Sequence, residues 1–532
     1  MTLNMSLIQG QWKKDCENAG TINRMTLDEI VQDNKETEFG KRYHFENIKN
    51  ADDFRRNVPL HEYDDLESEI LRMRAGEKNV LMVYPVAGYA NSSGTVKGNR
   101  KWIPITFRTL DSYSNDPDLY MEKLIKEKGG KRNHLTLFRT DLNEPADGVV
   151  VTGIYYRQRL LSGTLDIDSF VGGKELFFDK NPGNVLFAKA YAALAEENIT
   201  TLETIFQYDF LYFFRYIEQN WEELIDIMRS GKIPEEIELS EPIRQKLSSL
   251  TVTKERVDFL ESEFRKGFEG IAKRIWPKVS ILGGISNAAF FAEEEMLKTY
   301  LGGIPHHRFL YAASECYYGN PVTLNASCYG MMPRHDFFEF LPYDEETNDT
   351  IGSETLLPEE TEIGKTYELI ITSHSGLYRY RMGDILRVVD FCGESPVVEY
   401  VTRRGLALSL AGEKITLLQI EQAVRDLNEK GMEIEMYCFA PKIQKLPGCY
   451  LAVMVAKDEK LPENSDVSAW LDESLKRQNW DYEDLRNMGE LEAPEVCFLS
   501  MEEYQKVLKN SGLSDGQNKP KHIAPNGLKL EC

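Results

Sequence analysis

Residues 91–106, Asn-Ser-Ser-Gly-Thr-Val-Lys-Gly-Asn-Arg-Lys-Trp-Ile-Pro-Ile-Thr, carry the densest chemical signal in the chain. Two hydroxyls, Ser92 and Ser93, lead into Gly94, Thr95, Lys97 and Gly98. Glycines let a backbone turn tightly and bring its N–H groups close to an anion. The hydroxyls and the Lys97 ammonium add donors at the same place. Such a loop suits a polyphosphate; it equally suits a polar surface turn. It is not a Walker A loop, because only three residues separate Gly94 from Gly98 and no Gly-Lys-Ser/Thr follows. The reading therefore points away from the P-loop fold and toward another kind of ATP use.

Size and composition set the frame. The 532 residues hold about three or four domains' worth of sequence. Hydrophobic content of 42% and aromatic content of 11% fit a globular protein. The formal charge of −23, with no Lys/Arg run against it, argues against nucleic acid and anionic membranes as partners. Met1–Asp15 lacks an apolar core behind a basic start, and no stretch approaches the ~20 apolar residues of a membrane helix. The eight cysteines form no Cys-x-x-Cys and fit a reducing compartment, so a cytoplasmic location is expected. No His-Glu-x-x-His occurs among the eight histidines, which leaves catalytic zinc unsupported.

Along the chain, residues 1–80 read as helical and charged. Residues 149–157 read as a strand, and Pro182-Gly183-Asn184 precedes a helix over 185–197. A second helical zone is expected over 201–229, dense in aromatics from Phe206 to Tyr216. These suit either a pocket for a bulky acid or, more commonly, core. Strands are expected at 279–284, 308–312, 367–373, 385–391 and 397–401. Strands mixed with helices imply an α/β architecture. From about residue 409 the pattern becomes a self-contained α+β unit: a helix at 416–429, strands at 433–440 and 449–456, a helix at 466–476, a strand at 496–500 and a helix at 502–509. The expected division is 1–408 and 409–532.

Four constellations carry chemistry besides bulk structure. Tyr311-Ala312-Ala313-Ser314-Glu315 ends a strand, where ligands bind in open α/β sheets. Ser314 suits a phosphate and Glu315 its Mg²⁺; both equally suit a helix N-cap. Phe337-Phe338-Glu339-Phe340-Leu341-Pro342 sets one carboxylate among apolar residues, and strand alternation turns Glu339 toward solvent. Gly376-Leu377-Tyr378-Arg379-Tyr380-Arg381-Met382-Gly383-Asp384 reads as a tight turn at Gly383-Asp384. There Asp384 suits a ribose diol and Tyr378 or Tyr380 suits adenine, although a hairpin turn explains Gly-Asp too. Lys519 lies in the Gly/Asn/Pro-rich stretch 514–522, alternatively as a solvated surface lysine.

Together, in this order, these motifs resemble the adenylate-forming superfamily. They resemble more closely the auxin-responsive promoter (Gretchen Hagen) family of acyl-acid-amido synthetases. The similarity rests on Ser92-Ser93-Gly94-Thr95…Gly98…Lys101…Pro104, on Phe338-Glu339-Phe340-Leu341-Pro342, and on Leu377-Tyr378-Arg379-Tyr380-Arg381…Gly383-Asp384-Ile385-Leu386-Arg387-Val388. It spans about residues 35–522. Val96 departs from the usual second Thr, Cys316 from the usual Gly, and Pro520-Lys521-His522 from the usual apolar-Pro-Arg.

The resemblance implies a large N-terminal adenylation domain of α/β sheets with a β-barrel-like part, and a small mobile α+β C-terminal domain. It implies that a carboxylate attacks the α-phosphorus of ATP to give an acyl-adenylate, which an amine, typically an amino acid, then converts to an amide. ATP and Mg²⁺ are the implied cofactors. Ser92, Ser93, Gly94, Thr95, Lys97, Gly98 and Ser314 would hold phosphates, Glu315 the Mg²⁺, Tyr378 or Tyr380 the adenine, and Asp384 with Arg404 the ribose. Lys519 would meet the α-phosphate during adenylation. Arg403–Gly412, with Gly405 and Gly412, is the hinge candidate. An acyl-CoA ligase and a non-catalytic nucleotide-binding protein are the alternatives; acid, amine and oligomeric state are not readable.

Overall fold

The computed structural model describes all residues except 1–4, 6, 9, 93–100, 114–132, 138–148, 151–165, 179–182, 208, 286–290, 309, 326, 346, 348, 405–406, 409, 411–412, 414, 443–446, 458–460, 490, 512, 514–520, 525–526, 529 and 531–532. The N-terminal stretch is helical as expected, in Gly10–Glu17, Ala19–Asn34, Glu38–Arg42, Ala51–Asn57 and Tyr63–Arg74. Side-chain caps set two of these starts: Thr37 accepts from Gly40 N and Asn50 from Asp53 N.

Four parallel strands, His134–Thr136, Thr201–Phe206, Ile281–Ile285 and His306–Arg308, form one sheet in that order. The helical zone expected from residue 201 is corrected here. Residues 201–206 are a strand and the helix runs over Asp209–Ser230. Thr201, Thr204 and Ile205 are β-branched, and burial on both faces removes the polar alternation that marks a strand. The aromatic run is core: Phe210, Phe213 and Phe214 are fully buried, and Phe214 stacks on Tyr300 with ring centroids 5.6 Å apart. The expected strand 308–312 is two strands, His306–Arg308 closing this sheet and Tyr311–Ala312 opening the next.

Where a barrel-like part is expected, the next sheet has an open strand order. Eight antiparallel strands lie in the order Asp349–Thr350, Phe337–Asp344, Thr366–Thr372, Tyr380–Cys392, Ser395–Arg403, Cys328–Met331, Tyr317–Pro321 and Tyr311–Ala312. Helix Ala19–Asn34 is tied to it through Asn23, whose amide donates to Phe338 O at 3.0 Å and whose oxygen accepts from Phe338 N at 2.9 Å. Gly319 is required where strands close up, because a Cβ there would sit 2.4 Å from Gly330 O. A small sheet pairs Val86–Ser92 with Lys101–Thr106 and with Val149–Val150; the rest of the strand expected over 149–157 lies outside the described residues.

The C-terminal unit follows the expected pattern, with helix Leu417–Glu429, strands Ile434–Lys442, Cys449–Ala456 and Glu495–Phe498, and helices Asn464–Gln478 and Met501–Asn510. A further helix, Trp480–Met488, was not foreseen. Leu408 and Ile415 already pack into this unit's core with Ile420, Leu427 and Tyr437. Lys521–Ala524 runs alongside Ile434–Lys442: Phe439 N donates to His522 O at 2.9 Å and Ala524 N to Phe439 O at 2.8 Å. Among the described residues no helix is long and apolar enough to cross a membrane.

Burial pushes His307 and His335 down to about 4 from an ordinary 6.5. The unfolded chain then binds more protons than the folded one between pH 6.5 and 4. Their stabilisation is complete above the unfolded value and is lost as pH falls, by as much as about 3 kcal/mol per imidazole. Urea midpoints should fall from pH 6.5 to 4.5, and His307→Gln should flatten that slope; an unchanged slope in the variant contradicts the assignment.

Candidate active site

The motif 377–384 is organised by Arg379. Its φ of 41° is left-handed, a strained setting for a non-glycine residue. Five contacts of one guanidinium hold it there. Nε donates to both Glu339 oxygens at 3.2 Å, Nη2 to Thr355 Oγ1 at 2.9 Å, and Nη1 to the carbonyls of Arg55 and Val58, each at 2.9 Å. Glu339 is wholly buried, which corrects the solvent-facing expectation. The strand is buried from Phe337 to Leu341, so alternation sends the carboxylate into a second buried layer, where only a well-bonded partner makes it tolerable.

Asp384 lies next to a bulge rather than at a tight turn. Strand Tyr380–Cys392 runs through it, with Gly383 at φ 76° and two extra residues opposite Glu368–Ile370. The Tyr311 hydroxyl donates to Asp384 Oδ2 at 2.7 Å. Tyr311 is backed in turn by Tyr318 and Tyr329, at 4.5 and 5.6 Å between ring centroids. Ser314 and Glu315 form the tip of the hairpin that follows Tyr311, closed by Ala313 N donating to Cys316 O at 2.9 Å. No helix follows them, which removes the N-cap reading. Ser314 is half-buried and Glu315 is buried. Cys316 points inward, its thiol donating to Asp336 Oδ2 at 3.0 Å and pushed up by burial.

Of the phosphate-loop candidate, the flanking residues are described: Ser92 pairs with Lys101 at the end of Val86–Ser92. Lys101 Nζ donates to the Tyr380 hydroxyl at 3.2 Å. Ser93, Gly94, Thr95, Lys97 and Gly98 lie outside the described residues, as do Lys519, Gly405 and Gly412. Tyr378 is corrected as an adenine platform. It is fully buried, stacked on Phe39 at 4.2 Å, and its hydroxyl donates to Leu81 O at 2.6 Å. Arg404 is engaged by carboxylates, donating to Glu368 at 3.1 Å and to Glu62 at 2.6 Å. That hydrogen bond holds the Glu62 carboxyl below its usual range.

Sequence reading missed two supports. Glu368, wholly buried, also takes Arg381 at 3.2 Å. His61 joins the motif as a one-residue strand, its N–H donating to Arg379 O at 3.0 Å and its carbonyl accepting from Arg381 N at 2.8 Å. Its Nδ1–H donates to Tyr378 O at 2.8 Å, leaving Nε2 to accept from Tyr43 Oη at 3.3 Å. Lys101, by contrast, had a sequence signal, through its place in the first motif. A cavity of about 950 Å³ lies elsewhere, at the N-terminal ends of the parallel strands beside Asn133, Thr200 and Ser280.

An α/β part, a large antiparallel sheet carrying these constellations, and a small α+β unit define an adenylate-forming fold. Three family profiles match in succession: the GH3 family N-terminal domain over residues 9–306, its central domain over 329–403 and its C-terminal domain over 418–527. The chain belongs to the GH3 family. It is similar to indole-3-acetic acid-amido synthetase GH3.3 of Arabidopsis thaliana, at 29% identity over 85% of this chain and 80% of that one. It is also similar to GH3.8 of Oryza sativa subsp. indica, at 29% over 82% and 75%. In structure it matches the AtGH3.15 acyl acid amido synthetase in complex with 2,4-DB, with a TM-score of 0.83 at 22% identity over 98% and 95% of the two chains. A 2-hydroxyisobutyryl-CoA ligase shares the fold at a TM-score of 0.52 and 10% identity over 97% and 89%.

Removing Arg379 leaves Glu339 buried and unpaired. Arg379→Met should cost about 3–5 kcal/mol in urea unfolding, and Arg379→Met with Glu339→Leu should cost less than the first change alone. A single-variant loss below about 1 kcal/mol contradicts the role given to this pair.

Proposed function

We propose that this chain activates a carboxylic acid with ATP as an acyl-adenylate and passes the acyl group to an amine, an amino acid, as an acyl-acid-amido synthetase. The observation that carries the reading is the hydrogen bond of 2.7 Å from Tyr311 to Asp384, which brings the Ser314-Glu315 hairpin beside the Gly383-Asp384 bulge across 73 residues of sequence. Both constellations fall in the family's own order.

In this reading the carboxylate oxygen bonds to the α-phosphorus as the bond to the bridging oxygen breaks, releasing pyrophosphate. The amine nitrogen then bonds to the acyl carbon, AMP leaves, and the nitrogen loses a proton. No protein nucleophile is needed; positioning and charge neutralisation lower the barrier. Ser92, Ser93, Gly94, Thr95, Lys97, Gly98 and Ser314 are assigned to phosphate oxygens and Asp384 to the ribose diol, oriented by Tyr311. Arg404 is assigned to the rim of that site, held by Glu368 and Glu62. Lys519 is assigned to the α-phosphate. Magnesium fits one buried carboxylate, Glu315, with substrate oxygens completing its shell, since this ion is usually bound through one or two carboxylates plus phosphates; it would screen the phosphate charge. Among the described residues there is no group of three acidic, His or Cys side chains that would hold a metal without the nucleotide. The proposed division of the chain is 1–408 and 409–532, and the expected compartment is the cytoplasm.

Incubation with Mg-ATP, a panel of aromatic and fatty acids and the twenty amino acids should give acid-dependent AMP, increased by an amino acid. ADP in place of AMP, or AMP increased only by a thiol, overturns the reading. Asp384→Ala should raise KM for ATP about 10- to 100-fold, the worth of hydrogen bonds to a charged group, and Tyr311→Phe should raise it less. An unchanged KM in Asp384→Ala removes the ribose assignment.

A further inference from the structure

Helix Asp209–Ser230 belongs to the N-terminal part, yet one of its faces touches the C-terminal unit. Arg215 Nη2 pairs with Glu435 Oε1 at 2.6 Å, both side chains being about one-seventh exposed, at 15% and 14%. The same nitrogen lies 3.3 Å from Met296 Sδ. One turn earlier, Tyr212 packs on the C-terminal core and its hydroxyl donates to Met436 Sδ at 3.4 Å. Residues three apart share a helix face, so Tyr212 and Arg215 form one docking edge.

The facing strand is shaped for this contact. Consecutive strand residues normally point to opposite faces. Here Ile434 pairs with Ala456 and Met436 with Val455, so Glu435 is an extra residue without a ladder partner. A bulge of this kind re-aims a side chain, and Glu435 and Met436 meet the same helix. The strand also carries the end of the chain. The His522 ring stacks on Tyr437 at 4.1 Å, its Nδ1–H donates to Tyr437 O at 3.1 Å, and Lys521–Ala524 runs along the strand.

We propose that Arg215 and Glu435 are positioning residues: their ion pair fixes the orientation in which the C-terminal unit presents the segment Lys521–Ala524 to the N-terminal part. The proposal rests on the assignment of Lys519 to adenylation. A largely buried pair suits the task, because losing one partner strands the other charge, whereas parting of the two units returns both to water.

The test uses the full chain with Arg215→Glu, Glu435→Arg and the double exchange. Dyes introduced through non-natural amino acids at the exposed Met25 and Met488 report the orientation by energy transfer, without ATP or acid. Each single reversal should change the transfer efficiency and lower acid-dependent pyrophosphate exchange about tenfold, the scale of one charge-assisted hydrogen bond. KM for ATP should stay unchanged, and the double exchange should restore both readouts. Glu435→Gln, which keeps the side chain's shape, should shift the efficiency in the same direction. Wild-type efficiency in the single variants, or no recovery in the double exchange, overturns the proposal. Absence of exchange in the wild type with every acid overturns the adenylation reading instead, while the energy transfer still decides the role of the pair.

Discussion

One buried guanidinium sets the geometry on which the rest of the molecule depends. Arg379 sits at a left-handed φ and spends its donors on Glu339, Thr355 and the carbonyls of Arg55 and Val58. Those partners come from helix Ala51–Asn57 and the residue that follows it, from strand Phe337–Asp344, and from the segment after that strand. A single side chain thus ties the helical N-terminus to the large sheet. The neighbouring residues inherit fixed positions: Tyr378 is locked against Phe39, and Tyr380 receives Lys101. Lysine cannot substitute, because its point charge lacks the planar fork that serves several acceptors at once.

From that anchor the site is assembled by long-range contacts rather than by one local motif. Lys101 reaches Tyr380 across 279 residues and Tyr311 reaches Asp384 across 73. Glu368 gathers Arg381 and Arg404, so one buried carboxylate faces two guanidiniums. Glu62 takes Arg404 as well, so two carboxylates balance the two guanidiniums and hold them in place.

The C-terminal pattern was legible because helix Leu417–Glu429 keeps a clean period and Cys449–Ala456 is a short continuous apolar run of strand length. The roles of individual residues were less so, for one physical reason: alternation fails where both faces of a sheet are covered. That failure turned Glu339 outward and made the strand Thr201–Phe206 look like the start of the aromatic helix. Tyr378 misled differently, since a tyrosine beside a nucleotide motif and a tyrosine in a core read alike until its partner Phe39 is known. His61 and Glu368 left no sequence signal at all; they act through backbone pairing and a shared carboxylate, which only the fold brings together. The aromatic cluster at 210–214 resolved to core, as burial of large apolar area favours.

The route of an oxygen atom tests the account most directly. A substrate acid labelled with ¹⁸O in its carboxylate passes one labelled oxygen to phosphorus when the amide forms. An acyl-adenylate intermediate predicts that label in AMP, with none in inorganic phosphate or pyrophosphate. Label in inorganic phosphate alongside ADP would show an acyl phosphate instead, and would contradict the mechanism drawn from this fold.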